Sequence, residues 1–167
     1  MTEPTRDRPD VPDGYSLPDA DEVLLEWSTV EERLRSSLHY WMATTRPQGA
    51  PHVVPRWGVW LDDKFWYDGS PATRHVQNLS GNTACVLHLE DGKEAVMVEG
   101  HSEMAAPPGH VFGARLSEAM CSKYAEYGYE PGPDSWEGAD SGGLRVMTPE
   151  KAMAWFDFPT DMTRFRF

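Results

Sequence analysis

The sequence predicts a mainly β fold: a closed or split β-barrel, mostly antiparallel, with short helices between its strands. Three observations carry this. About seven short runs rich in β-branched and aromatic residues recur along 167 residues, several of them paired as hairpins. Fourteen Gly and fourteen Pro supply the turns that so many strands need. Residues 52–61 alternate with period two: Val53, Pro55, Trp57, Val59 and Leu61 fall on one face, and His52, Val54, Arg56, Gly58 and Trp60 on the other.

The elements follow in order. Residues 1–28 hold eight acids, two bases and four Pro, which reads as a disordered or surface-hugging arm; 29–167 form the domain. Ser28 or Thr29 caps a helix that runs to about Ser37, with Glu31 and Glu32 in its first turn. Residues 38–45 form a strand, and Arg46-Pro47-Gln48-Gly49 a tight turn. The alternating strand 52–61 turns at Asp62-Asp63 into 64–68. Pro55 lacks an N–H, so this strand lies at an edge or carries a bulge. Gly58 leaves room for close approach to the backbone. Ser70 caps a helix that opens at Pro71 and ends near Ser80. Strands at 84–90 and 94–104 flank an Asp91-Gly92 turn. Residues 109–127 have helical spacing, with Phe112, Leu116, Met120 and Tyr124 on one stripe. Residues 128–143, with five Gly and two Pro, form a long mobile loop, a lid or dimer-contact arm. Residues 144–147 and 151–158 read as two final strands, followed by a tail.

Charge narrows the function. Fifteen Lys+Arg against 27 Asp+Glu leave a net charge of -12. A chain this acidic is a poor binder of nucleic acid or anionic membrane, both of which select basic surfaces. Half of that charge sits in the first 28 residues, so the domain itself is milder. No apolar run approaches the roughly 18 residues of a spanning helix. No signal peptide is visible, and Cys85 and Cys121 make no disulfide framework. The expectation is a reduced, cytoplasmic protein. The six His form no metal signature, and no nucleophile elbow, Walker loop or dinucleotide fingerprint is present. Cys85, in an apolar strand, reads as packing.

Two features could carry chemistry. Ser70-Pro71-Ala72-Thr73-Arg74-His75 gathers a hydroxyl, a guanidinium and an imidazole at a helix start, where free N–H groups favour an anion such as phosphate. The same residues also fit a plain cap and a surface ion pair. Arg56 and Trp60 share a strand face with Gly58, where a planar ligand could lie; equally, the Trp rings could be barrel core.

In order and spacing, residues 40–62 (Tyr40-Trp-Met-Ala-Thr-Thr-Arg-Pro-Gln-Gly through Trp60-Leu-Asp), Thr73-Arg-His-Val-Gln-Asn-Leu79, Val86-Leu-His-Leu-Glu90 and Val96-Met-Val-Glu-Gly100 resemble the pyridoxamine-phosphate oxidase-like flavin-binding split-barrel superfamily. Thr163-Arg-Phe-Arg-Phe167 is similar to its actinobacterial branch, which uses flavin or the deazaflavin coenzyme F-420. The resemblance implies a homodimer with cofactor at the interface. It implies that Thr73, Arg74 and His75 hold the cofactor phosphate and that Val54, Pro55, Arg56 and Trp57 line its ring. His88 would add a wall, and Arg164 would close the site, from the other subunit. His75 stands where the family commonly has Lys, so one fixed charge becomes titratable. Cofactor affinity is then expected to fall as pH rises from about 6 to 8.

The implied function is an oxidoreductase passing hydride between reduced F-420, or FMN as the alternative, and a small organic acceptor. Arg56 is the candidate catalytic residue, stabilising negative charge developing on the substrate. The acidic surface would repel the oligoglutamate tail of F-420 unless a basic groove shields it. The rivals are a non-catalytic barrel that carries or senses flavin, haem or lipid, and a structural dimer that has lost its cofactor.

Overall fold

The computed structural model describes residues 3–14 and 23–167. Asp19, Asp21, Glu22 and Pro18 of the acidic arm lie outside the described residues. Among the described residues there are nine strands: β1 (Thr5–Asp7), β2 (Tyr40–Thr45), β3 (Pro51–Arg56), β4 (Val59–Leu61), β5 (Lys64–Asp68), β6 (Ala84–His88), β7 (Ala95–Met104), β8 (Leu144–Trp155) and β9 (Thr163–Arg166). Three helices accompany them: α1 (Trp27–Ser36), α2 (Arg74–Gly81) and α3 (Gly109–Tyr124). The main path runs β1-β9-β8-β7-β6-β2-β3, with β5 joining β8 to β4. Every pairing is antiparallel, as a split barrel requires. No helix among the described residues is long and apolar enough to cross a membrane.

The expected two final strands are one. β8 runs unbroken through Pro149, pairing β7 along one edge and β5 and then β9 along the other. Its register against β7 shifts at Glu99/Gly100, opposite Pro149, whose missing N–H is tolerated at such a bulge. A Cβ on Gly100 would lie 2.1 Å from the Thr148 carbonyl oxygen, so glycine is required for the two backbones to meet.

The expected single strand 52–61 is two, β3 and β4, broken at Trp57-Gly58. The close approach at Gly58 comes from the protein itself. A Cβ there would meet the Phe65 ring at 2.4 Å, and the Tyr124 hydroxyl accepts the Gly58 N–H at 3.0 Å. Asp62 and Asp63 both have positive φ (52° and 57°), the backbone of a tight hairpin turn. β3 lies at the sheet edge, as Pro55 foretells.

α1 starts at Trp27, so Ser28 and Thr29 are inside it rather than capping it. It buries Trp27, Val30 and Leu34. Trp27 meets Trp60, Phe165 and Phe167 edge-on at 6.1, 5.2 and 4.8 Å. Trp60 is thereby committed to the core rather than to a ligand face. The tail becomes β9, and the arm is not all loose: β1 pairs with β9, and Asp7 accepts from Arg164 at 2.8 and 2.7 Å and from Arg166 at 2.7 Å. A second cluster, built on Val59, Leu116, Met120, Tyr124, Trp136 and Leu144, packs α3 against β4 and β8. The 128–143 segment is therefore pinned rather than mobile. Trp136 is 1 % exposed, and the Ser141 hydroxyl donates to the Ala105 carbonyl at 2.8 Å.

Gly100→Ala is expected to lower the unfolding free energy by more than about 2 kcal/mol in chemical denaturation, through strain at the bulge. Gly81→Ala, where a Cβ meets nothing within 4 Å, should change it by less than about 0.5 kcal/mol.

Candidate functional site

Period two sends His52, Val54 and Arg56 of β3 inward, towards the side covered by α2. α2 buries His75, Val76, Asn78 and Leu79, and Asn78 donates to the Thr44 hydroxyl at 3.0 Å, seating the helix on β2. Arg145 of β8 stands opposite Tyr67 of β5. These placements collect four basic side chains in an acidic protein. The Arg56 guanidinium lies 5.5 Å over the Tyr67 ring and donates to the Asp68 carbonyl. Arg145 donates to the Ser102 carbonyl at 3.3 Å.

Their nitrogen atoms are under-used. Arg56 Nε, Arg145 Nε, His75 Nε2 and His52 Nδ1 are all buried without a hydrogen-bond partner among the described residues. Neither arginine makes an ion pair among the described residues. Burying a cation or an N–H without a partner is costly. The cluster therefore fits anions better than it fits its own interior.

His75 is inside the cluster, not on the surface, at 2 % exposure. Burial holds its imidazole down to about 4, assisted by the charges of Arg56, Arg145 and His52. It is thus neutral from pH 6 to 8, which corrects the expectation that it titrates there. α2 begins at Arg74, with Thr73 at its N-cap position, because residues 70–73 close a turn of their own: the Thr73 N–H and hydroxyl both donate to the Ser70 carbonyl, at 2.9 and 2.7 Å. Arg74 is exposed at that helix start.

Beside this cluster lies a pocket of about 120 Å³ lined by Arg56, Trp57, Asp68, Met120 and Tyr129. The Trp57 ring stacks on Tyr124 at 4.9 Å and tilts against Tyr127 and Tyr129. The Asp68 carboxylate accepts from Trp136 Nε1 at 2.9 Å and from the Tyr129 hydroxyl. Burial raises its pKa, opposed by the Trp136 hydrogen bond and Arg56. Sequence reasoning missed Asp68 and Arg145. Each is a single charge at a strand end, and what marks them is the segment folded onto them.

The other expected residues scatter. Pro55 faces outward, away from Val54 and Arg56. His88 lies on the outer face of β6, stacked on Trp41 with ring centroids 6.4 Å apart, its Nδ1 2.8 Å from the Leu89 carbonyl. Arg164 stands opposite Met153 of β8, eight residues from Arg145, or about 26 Å along a strand. Within its own chain it is engaged with Asp7. Cys85 is buried and its thiol is pushed up to about 12, as packing implies.

His75 ring resonances followed by NMR should stay constant from pH 8 to 6 and move only towards pH 4. With its folded value below the unfolded one, the unfolded chain binds the extra proton. His75 therefore favours folding above about pH 6.5 and loses that contribution as pH falls through about 4.

A search of curated proteins finds no significant relative. Among solved structures the fold is shared with an F420 reductase, 22% identical, TM-score 0.52, covering 85% of this chain and 98% of that one. It is shared with a haem-binding protein from Mycobacterium smegmatis, 16% identical, TM-score 0.60, covering 81% of this chain and 56% of that one, so this chain spans just over half of that neighbour. It is also shared with HutZ, a haem storage protein from Vibrio cholerae, 17% identical, TM-score 0.55, covering 74% and 89%. The family model for pyridoxamine 5'-phosphate oxidase matches residues 27–156, a span that takes in α1, the β2–β3 edge and the Arg56–His75–Arg145 cluster, and on that match the chain belongs to the pyridoxamine 5'-phosphate oxidase family.

Proposed function

We propose that the chain is an oxidoreductase that uses a deazaflavin of the F-420 type, with FMN as the alternative, to reduce a small organic acceptor. The observation that carries this reading is the pair of unpartnered nitrogens on Arg56 and His75 beside an edge strand. An anionic cofactor satisfies them. The F420 reductase among the structural neighbours favours the deazaflavin.

When bound, the cofactor supplies hydride chemistry. Arg74, Thr73 and the free N–H groups at the start of α2 hold its phosphate, with the neutral His75 as a hydrogen-bonding neighbour. The β3 edge from Val54 to Trp57 lies along its ring. Arg56, partly desolvated and charged, stabilises negative charge that develops on the acceptor. The aromatic wall of Trp57 and Tyr129 keeps water from this end.

The working unit is a homodimer. The outer face of β3 exposes Pro51, Val53 and Pro55, flanked by Ala43 and Trp41 of β2, and Val53 is 50 % exposed. An apolar sheet face next to an open edge is what a second copy covers.

A haem-binding reading has one observation of its own. His88 sits near the Leu89 carbonyl through Nδ1, which orients Nε2 as a ligand.

Titration of the purified protein with F-420, FMN and haemin, followed by absorption, separates these readings. Binding of F-420 or FMN supports the oxidoreductase; haemin binding that disappears in His88→Ala supports the carrier. Arg56→Ala should lower turnover by about tenfold or more and cofactor affinity far less. Unchanged turnover would remove Arg56 from the chemistry. Sedimentation equilibrium should give a dimer that Val53→Glu dissociates; a monomeric wild type overturns the shared site.

A further inference from the structure

A cavity lies on the far side of α2 from the β3 edge. It has a volume of about 360 Å³ between the second half of α2, the end of β7 and the 140–143 turn. Its walls are mostly apolar: Pro71, Val76, Leu79 and Met104. Arg145 lines it as well.

We propose that this cavity binds a small monocarboxylate with an apolar body, its carboxylate held by Arg145. The site is independent of the cofactor reading above.

Arg145 is 7 % exposed, its Nε is buried without a partner, and it has no ion pair among the described residues. Its hydrogen-bond partners among the described residues are neutral, the Ser102 carbonyl and the Tyr67 hydroxyl. A charge buried to this extent calls for a counter-charge. Glu103 and Asp140 line the same cavity but are exposed and leave Arg145 unneutralised. Their position decides the ligand's charge. Two acids against one guanidinium disfavour a dianion such as phosphate and leave room for a single carboxylate, which a guanidinium grips through two hydrogen bonds. The apolar walls then select the rest of the molecule.

Gly69 keeps the space beside Arg145 open. A Cβ there would come within 2.8 Å of Val76 Cγ2 and 3.0 Å of Arg145 Cδ. The floor is fixed by the Gly69 N–H donating to the Gly143 carbonyl at 2.9 Å, and by the Tyr67 and Ser102 hydroxyls paired at 2.7 Å.

The test uses the full chain without added cofactor. Hexanoate, 1-hexanol, hexylammonium and inorganic phosphate are titrated in turn and followed by amide NMR. Hexanoate should saturate, shifting Val76, Leu79 and Ser102. Hexanol and hexylammonium should bind at least about tenfold more weakly. Arg145→Met should weaken hexanoate by at least about tenfold. Ser80→Trp, at an exposed α2 position on the rim, should abolish binding with an unchanged circular dichroism spectrum; it decides the matter if Arg145→Met fails to fold. The proposal is overturned by no hexanoate binding, equal binding of hexanol, tighter binding of phosphate, or hexanoate binding that survives Ser80→Trp.

Discussion

At the middle of the sheet the backbones of Gly100 and Thr148 meet so closely that no side chain fits between them. The bulge there breaks the register of the long β7–β8 ladder and bends both strands. On one side of the bend β8 pairs with β5; on the other it pairs with β9. One strand thus serves two walls, and the sheet curls into a barrel instead of twisting away. Everything that defines the site depends on this. β5 brings Tyr67 and Asp68 against Arg145, and Gly69 leads into α2. Tyr67 meets Phe65 of its own strand at 5.4 Å, His75 of α2 at 6.1 Å and the Arg56 guanidinium of β3 over its ring.

The charge distribution follows a similar logic. Among the described residues an acidic excess lies outside, while Arg56 and Arg145 are drawn together inside and Lys123 is buried separately against Tyr40. Its surface ion pairs, such as Arg115 with Asp62 and Arg35 with Glu31, are exposed and individually weak. The inward arginines have no such partners, and they sit where burial makes each unmet hydrogen bond matter most. Asp68 is the exception that organises the neighbourhood. Its carboxylate faces the loop rather than the cluster, tying Tyr129 and Trp136 to β5 and leaving Arg56 to the Asp68 backbone.

Much of this was legible in the residues. Hairpins, the edge position of β3 and the stripe along α3 follow from local periodicity and turn chemistry, which a single strand or helix carries within itself. Local pattern also puts Arg56 on the inward face of β3 and residues 73–75 at a helix start. What was not legible depends on distant partners. Residues 5–7 look like a solvated charged run, yet Asp7 meets arginines 157 and 159 residues later. The 128–143 segment has the composition of a mobile loop, but Trp136 plugs into a carboxylate 68 residues earlier. Pro149 appears to end a strand until Gly100 supplies the bulge that accommodates it. Residue types at the helix start suggested a charged His75; depth of burial, which no motif reports, makes it neutral.

The two ends of the main sheet path differ in kind. β3 presents an open edge, whereas β9 is covered by the three-residue, charged β1 that the chain's own N-terminal segment provides. Short charged strands are poor templates for further pairing. The far end of this path is therefore a finished edge. Without residues 5–7 the same sheet would be sticky at both ends of that path, and head-to-tail addition would have no natural stopping point.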